Sequence, residues 1–205
     1  GAAIARHAAA CGHHLHLVAR RRDALAHTAA TCDRAASITL HPLDLADADA
    51  VAQWLPTLPP PDILINNAGS GLFKPALETT DGETAAMLRL NTLAPIQLIH
   101  ALAPAMVARG HGHIINIISQ AGKIATPKTA AYAASKHALL GYSNALRLEL
   151  AGSGILVTSV NPGPMLTAFF DRADPDGVYR QALGRFWLTD ADALAATICA
   201  AFNRR

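Results

Sequence analysis

The chain has 205 residues, 51% apolar and 16% charged, with a formal net charge of +2 at pH 7. That is enough apolar material to bury a core in one domain, and too little net charge to form a nucleic-acid surface, because the basic residues are scattered apart from the Arg20-Arg21-Arg22 triplet. No apolar run approaches the roughly 18 residues of a bilayer span, and the N-terminus lacks a signal-peptide pattern. Cys11, Cys32 and Cys199 stand apart from metal-ligand spacing, so free thiols in a reducing compartment, the cytoplasm, are expected.

In chain order, an Ala-rich helix over 2–10 precedes a strand, Leu15-His16-Leu17-Val18, that runs into Arg20. A helix from about Asp23 to Cys32 follows, then a strand at Ile38 to Leu40 ending at Asp44-Leu45, then a short helix to Trp54. Pro56 to Pro61 interrupt the chain before the strand Ile63-Leu64-Ile65. The spacing of Met87, Leu88, Leu90, Leu98 and Leu102 predicts a long amphipathic helix over roughly 83–108. A strand is expected at 114–118. A second long helix over about 130–151 ends at Gly152-Ser153-Gly154 and feeds a strand from Ile155 to Val160. Strand and helix alternate, and the strands are apolar throughout, which predicts an α/β fold with a doubly wound parallel sheet in a single domain over 1–205. The segment 164–188 mixes Pro, Gly and Asp with Met165, Phe169, Phe170, Tyr179, Phe186 and Trp187, and reads as a lid over a substrate; a surface loop with incidental aromatics is the alternative.

The motif with most chemistry is Tyr132-Ala-Ala-Ser-Lys136, with Ser119 thirteen residues before the tyrosine. Residues four apart share a helix face, so a strand ending at Ser119 and a helix carrying Tyr132 and Lys136 can bring hydroxyl, phenol and ammonium together at the carboxyl edge of a sheet. A phenol of pKa about 10 is a poor proton carrier at neutral pH unless something lowers it, and the Lys136 ammonium is the candidate. The Ser119 hydroxyl would hold the reacting oxygen by a second hydrogen bond.

Around this motif lie Asn66-Asn67-Ala68-Gly69 after a strand, then Asn91, and downstream Asn161-Pro162-Gly163-Pro164-Met165-Leu166-Thr167. Their order and content resemble the short-chain dehydrogenase/reductase family over essentially the whole chain. The resemblance implies a Rossmann-type fold and a catalytic tetrad of Asn91, Ser119, Tyr132 and Lys136, with Asn91 interrupting its helix and ordering water toward Lys136, which would also bind ribose. It further implies that Asp44 and Leu45 contact adenine, that Asn67, Ala68 and Gly69 line the adenosine ribose, and that Pro162 and Gly163 flank the nicotinamide while Thr167 reaches its amide. Two departures stand out: Gly1 matches only the last glycine of the family's glycine-rich loop, with the first strand and most of that loop absent from this sequence, and Ile118-Ser119 replaces the usual Ser-Ser pair. The resemblance reads the first departure as a longer polypeptide beginning upstream.

Gly1 would add to a phosphate site at the first helix N-terminus. About 20 positions on, where an acidic residue would bind the ribose hydroxyl of NAD, stand Ala19 and Arg20, so NADP(H) is expected over NAD(H); a solvated basic helix start is the alternative. His13, His14 and His16 lack a fourth ligand in evidence and are expected to be surface or packing residues, so no metal is expected. Leu72, Phe73, Gln120, Met165 and Phe169 form a mainly apolar candidate substrate pocket suited to a hydrophobic ketone, aldehyde or acyl thioester, with Lys123 as a nearby cation. The expected activity is hydride transfer between NADP(H) and a carbonyl or secondary alcohol; the rival is a catalytically silent regulatory or scaffolding protein on the same fold. The partners expected are a small molecule and, through the helices 83–108 and 130–151, further copies of this chain, with no nucleic acid and no membrane.

Overall fold

A computed structural model describes residues 1–165, 167–182 and 189–202, apart from the side chain of Ala182. It divides into two compact units, Gly1–Trp54 with residues from Asp190 onward, and Leu55–Thr189. Both are built from parallel strands connected by helices, so the α/β class expected from the sequence is present.

In the first unit, α1 (Ala2–Ala10) leads into β1 (His14–Ala19), α2 (Arg22–Ala29), β2 (Ser37–Pro42) and α3 (Ala48–Trp54). β1 and β2 pair in parallel, with His14 opposite Ser37 and Ala19 opposite Pro42. Ala5 and Ala9 of α1 pack with Cys32, Leu15, Leu17 and Ile38, so small residues let the helix lie close to the strands. The returning helix α9 (Ala191–Ala200) starts with Asp190 accepting the amides of Asp192 and Ala193, and Asp192 meets Arg6 of α1 at 2.8 Å. The two edge histidines are used locally. His14 Nδ1 lies 2.8 Å from Ser37 Oγ, and His16 Nδ1 lies 3.0 Å from Nε2 of His41, whose Nδ1 accepts from Trp54 Nε1. Among the described residues no group of three or more His, Cys, Asp or Glu is arranged to hold a metal.

In the second unit, β3 (Ile63–Asn66), β4 (Gly112–Ile117) and β5 (Ile155–Val160) form a parallel sheet in that order. Ile114 and Ile115 on successive positions of β4 are both fully buried, as a central strand covered on both faces requires. The single helix expected over 83–108 is a helical stretch over Asp81–Arg109 in three parts: α4 (Asp81–Leu88), a π-helical turn over Arg89–Leu93, and α5 (Ala94–Arg109). It starts earlier than expected because Thr80 and Glu83 form a capping box, in which Glu83 N donates to Thr80 Oγ1 and Thr80 N to Glu83 Oε2. Gly110, at φ 72°, ends it in the left-handed conformation.

By length and composition alone the stretch 81–109 is apolar enough to cross a bilayer, and half of its most apolar window is buried in the structure. α6 (Ala130–Glu149) follows β4, closing two residues before the expected end, and α7 (Ala168–Ala173) and α8 (Val178–Ala182) follow β5. The expected lid over 164–188 is therefore partly helical where it is described; Leu166, Phe186 and Trp187 lie outside the described residues.

Candidate active site

The ladder of β4 continues one residue beyond the strand through Ile118 N to Val160 O, after which Ser119 opens a tight turn over Gln120–Gly122. Ser119 Oγ accepts from Ala121 N at 3.0 Å, and Gln120 N donates to Pro162 O at 2.9 Å, tying this turn to the Asn161-Pro162-Gly163 segment after β5. A Cβ on Gly122 would stand 2.8 Å from Ile118 Cγ2 and 3.0 Å from the carbonyl oxygen of Lys136, so only glycine lets the turn lie this close to α6.

Tyr132 and Lys136 stand one turn apart on the buried face of α6, 8% and 5% exposed. The Ser119 hydroxyl is near enough to the Tyr132 phenol to favour its ionised form. Lys136 Nζ donates to the carbonyl of Ile117 at 3.1 Å and lies 5.9 Å from the centroid of the Tyr132 ring. Asn91, fully buried in the π-turn, accepts Ser70 N on Oδ1 at 2.9 Å and donates through Nδ2 to Ser70 O and to Ser135 Oγ. The four residues expected to act together are thus gathered where β4 ends against α6, and Asn91 does interrupt its helix, since π-turns add a residue to the helical ladder.

The electrostatics correct one expectation. Lys136 is not among the groups that shift the phenol of Tyr132: burial raises its pKa, the Ser119 hydroxyl partly opposes that, and the nearby Tyr179 phenol raises it further. The reason is that the ammonium is directed at the Ile117 carbonyl rather than at the phenol oxygen. Lys136 itself is pushed down to about 8 by burial.

Of the residues expected at the substrate, Phe73 and Phe169 reach Tyr132, with ring centroids at 5.8 and 5.6 Å. Phe73 also meets Phe170 and, at 4.5 Å, Tyr179, whose hydroxyl lies 3.1 Å from Thr126 Oγ1. Gln120 is exposed at the turn after Ser119, and Leu72 and Met165 are partly buried. Lys123 is exposed.

Of the residues expected at the cofactor, Asn67, Ala68 and Gly69 follow β3 and are partly buried. A Cβ on Gly69 would approach Asn91 Oδ1 to 3.2 Å and Lys136 Nζ to 3.5 Å. Pro162 and Gly163 are partly buried, and Thr167 caps α7. In the first unit, Arg20 and Asp44 follow the carboxyl ends of β1 and β2 and pair with each other at 3.8 Å, Leu45 is next to Asp44, and Gly1 is the N-cap of α1.

The residues of the second unit fit a nicotinamide cofactor on two counts. Glycine leaves the approach to Lys136 open at Gly69, and Ile117 takes only one of the three hydrogens of the Lys136 ammonium. Sequence reasoning passed over Ser70, Ser135 and Thr126. For Ser135 a signal existed, because a serine three residues after Tyr132 is spaced to bond back to its carbonyl, as it does at 2.7 Å.

A sequence profile of the short chain dehydrogenase family matches residues 1–177. A dehydrogenase/reductase SDR family protein 7-like of Drosophila melanogaster is 38% identical over 133 residues, 63% of this chain and 41% of that protein. The uncharacterized oxidoreductase YbbO of Escherichia coli is 40% identical over 111 residues, 54% of this chain and 41% of that protein. The chain therefore spans about two fifths of the length of these relatives. Among solved structures, a metagenomic short-chain oxidoreductase in complex with NADP superposes with a TM-score of 0.80 at 32% identity, over 100% of this chain and 86% of that one. A short-chain dehydrogenase from Sphingobium yanoikuyae in complex with NADPH gives 0.86 at 32% identity, over 100% and 80%. With a match across most of its length and the Ser119, Tyr132 and Lys136 side chains gathered at the end of β4, this chain belongs to the short-chain dehydrogenase family.

Proposed function

We propose that the chain is the catalytic part of an NADP(H)-dependent oxidoreductase that interconverts a carbonyl and a secondary alcohol. The observation that carries this reading is that the buried Tyr132 and Lys136 stand beside the partly buried Ser119, whose hydroxyl acts on the phenol. When bound, the nicotinamide supplies or accepts the hydride, and the protein's residues handle the proton.

Tyr132 Oη gives its proton to the carbonyl oxygen in reduction and takes it back in oxidation. Its raised pKa keeps the phenol protonated and suits the donor direction. Ser119 Oγ donates to the same oxygen, so charge developing there meets a donor already in place. Lys136 Nζ, anchored on Ile117 O, holds ribose hydroxyls with its remaining hydrogens. Asn91 positions the loop at Ser70 and, with ordered water, connects toward Lys136. Asn67, Ala68, Gly69, Pro162, Gly163 and Thr167 line the cofactor; Gly1, Arg20, Asp44 and Leu45 belong to its phosphate and adenine end. Leu72, Phe73, Gln120, Met165 and Phe169 contact a hydrophobic substrate under the segment 164–188. A cytoplasmic homo-oligomer, formed through the helical stretch 81–109 and α6, completes the reading.

Tyr132→Phe keeps the ring and removes the proton donor, so NADPH affinity should hold while turnover falls by about 100-fold or more. Consumption of NADPH against a panel of ketones, aldehydes, diketones and acyl thioesters measures this. Activity of the variant within tenfold of wild type, or no turnover of any panel member by wild type, overturns the reading.

The cofactor preference rests on Arg20, whose exposed pairing with Asp44 at 3.8 Å is weak enough to yield to a phosphate. A bidentate grip on the 2′-phosphate is worth about 1.5–3 kcal/mol, so Arg20→Ala should weaken NADPH roughly tenfold to a hundredfold and leave NADH nearly unchanged. Fluorescence titration at fixed salt gives both dissociation constants, and an equal loss for both cofactors refutes the preference.

A buried charge kept for function costs stability. The folded pKa of Lys136, about 8, lies below the ordinary lysine value of 10.5, so from about pH 8 to 10.5 the unfolded chain binds more protons and stability rises with pH. The increment is on the order of 3 kcal/mol. Lys136→Met should lose activity, be more stable than wild type at pH 7, and lack this increment in urea titrations at pH 7 and pH 10. A wild-type-like difference between the two pH values in the variant would sink the argument.

Oligomer formation is read by sedimentation velocity at micromolar concentration, where a species above the monomer mass of 21.4 kDa is expected. A lone monomer boundary counts against it.

A further inference from the structure

Ser135 lies inside the Tyr132–Lys136 motif, yet the chemistry above gives it no part. It is fully buried, and every polar group it has is engaged. Its hydroxyl has one proton, which goes to the carbonyl oxygen of Tyr132 at 2.7 Å, and the oxygen accepts from Asn91 Nδ2 at 2.9 Å. Its own carbonyl accepts from Thr92 Oγ1 at 2.9 Å. Asn91 in turn spends its remaining groups on Ser70, with Oδ1 accepting Ser70 N at 2.9 Å and Nδ2 donating to Ser70 O at 2.8 Å. The result is one continuous path, partly buried at Ser70 and buried from Asn91 onward, from the loop after β3, through the π-turn, into α6 and onto the backbone of Tyr132.

The directions of the bonds are forced. The Asn91 amide nitrogen can only donate, so Ser135 Oγ must accept there, and its proton must then point at Tyr132 O. Of the other neutral side chains of this size only cysteine has both functions, and its thiol is a weak donor and a weak acceptor. Alanine would leave one Asn91 hydrogen unpaired at a fully buried position, and the amide would turn to recover a partner, releasing Ser70.

We propose that Ser135 is a positioning residue that sets Tyr132 against Ser119, by locking the first turn of α6 to Asn91 and through it to the Ser70 loop. This rests on the reading of Tyr132 as the proton carrier. The physical consequence is specific: if the turn carrying Tyr132 loosens, the phenol moves from the Ser119 hydroxyl that holds its pKa down, and that pKa rises.

The test compares Ser135→Ala and the near-isosteric Ser135→Cys with Thr92→Val, which removes a buried hydrogen bond to the same residue but leaves the Asn91 to Tyr132 path intact. Amide hydrogen exchange, which needs no substrate, should show Ser70 exchanging about tenfold faster or more in Ser135→Ala, less so in Ser135→Cys, and unchanged in Thr92→Val. With the best carbonyl of the panel, kcat of Ser135→Ala should fall about tenfold or more while both KM values stay within about threefold. The alkaline limb of its pH–rate profile should move up by about half a unit or more, with Ser135→Cys between it and wild type. If Ser135→Ala lowers the melting temperature as Thr92→Val does but leaves Ser70 exchange, kcat and the alkaline limb at wild-type values, Ser135 is only structural and the proposal is overturned; should Ser135→Ala not fold, the same three readouts on Ser135→Cys decide it. An inactive Tyr132→Phe beside an unperturbed Ser135→Ala rejects the positioning role alone, whereas an active Tyr132→Phe rejects the underlying reading.

Discussion

The hydrogen bond from Lys136 Nζ to the carbonyl of Ile117 is the constraint on which the site depends. An ammonium 5% exposed is tolerated only with a partner, and the partner here is the last carbonyl of the central strand β4. That bond places the second turn of α6 over the end of β4. Tyr132, one turn earlier on the same face, is thereby carried to Ser119, two residues beyond the strand. The lowered pKa of Lys136 is the electrostatic trace of the same burial, and the raised pKa of Tyr132 is its counterpart on an acid.

A second buried polar path runs through the sheet itself. Asn66 at the end of β3 donates to Asn116 of β4 at 2.8 Å, Asn116 donates to Ser143 of α6 at 2.8 Å, and Ser143 donates to Leu139 O. Apolar packing of Ile114, Ile115 and Leu139 supplies area but little direction, since isoleucine and leucine faces can slide. The amide pairs supply register, because a one-residue slip would bury unpaired amides. The site is therefore held by two polar paths, Asn66–Asn116–Ser143 and Ser70–Asn91–Ser135–Tyr132, with the apolar core around them.

Above the phenol, the rings of Phe73, Phe169, Phe170 and Tyr179 make edge-on, tilted and stacked contacts at 4.5 to 6.4 Å. A Cβ on Gly71 would stand 2.5 Å from Phe169 Cζ, so that glycine provides the space the ring occupies. The backbone joins in, with Phe73 N donating to Ala173 O at 2.7 Å, while buried Asp174 accepts the amides of Tyr179 and Arg180. Segments remote in sequence are thus packed as one apolar cover beside Tyr132, and such a cover raises the strength of every electrostatic contact beneath it.

How much of this was legible in the sequence follows from the range of the interactions. Periodicity and turn residues report local geometry, so the alternation of strands and helices, the class of fold, and the four-residue spacing of Tyr132 and Lys136 could be read directly. Helix ends were displaced where side chains capped them, as at Thr80 and Glu83. What local pattern does not contain is the partner of a buried polar group. The sequence places an ammonium near a phenol, but only the packing of α6 on β4 decides that the ammonium faces the Ile117 carbonyl while burial raises the phenol's pKa. Likewise Ser135 is one more small residue in the motif until the π-turn, 44 positions upstream, brings Asn91 to its hydroxyl. Spacing along one helix is set by the backbone, whereas the direction of a charge and the partner of a hydroxyl are set by whichever distant segment excludes water from them.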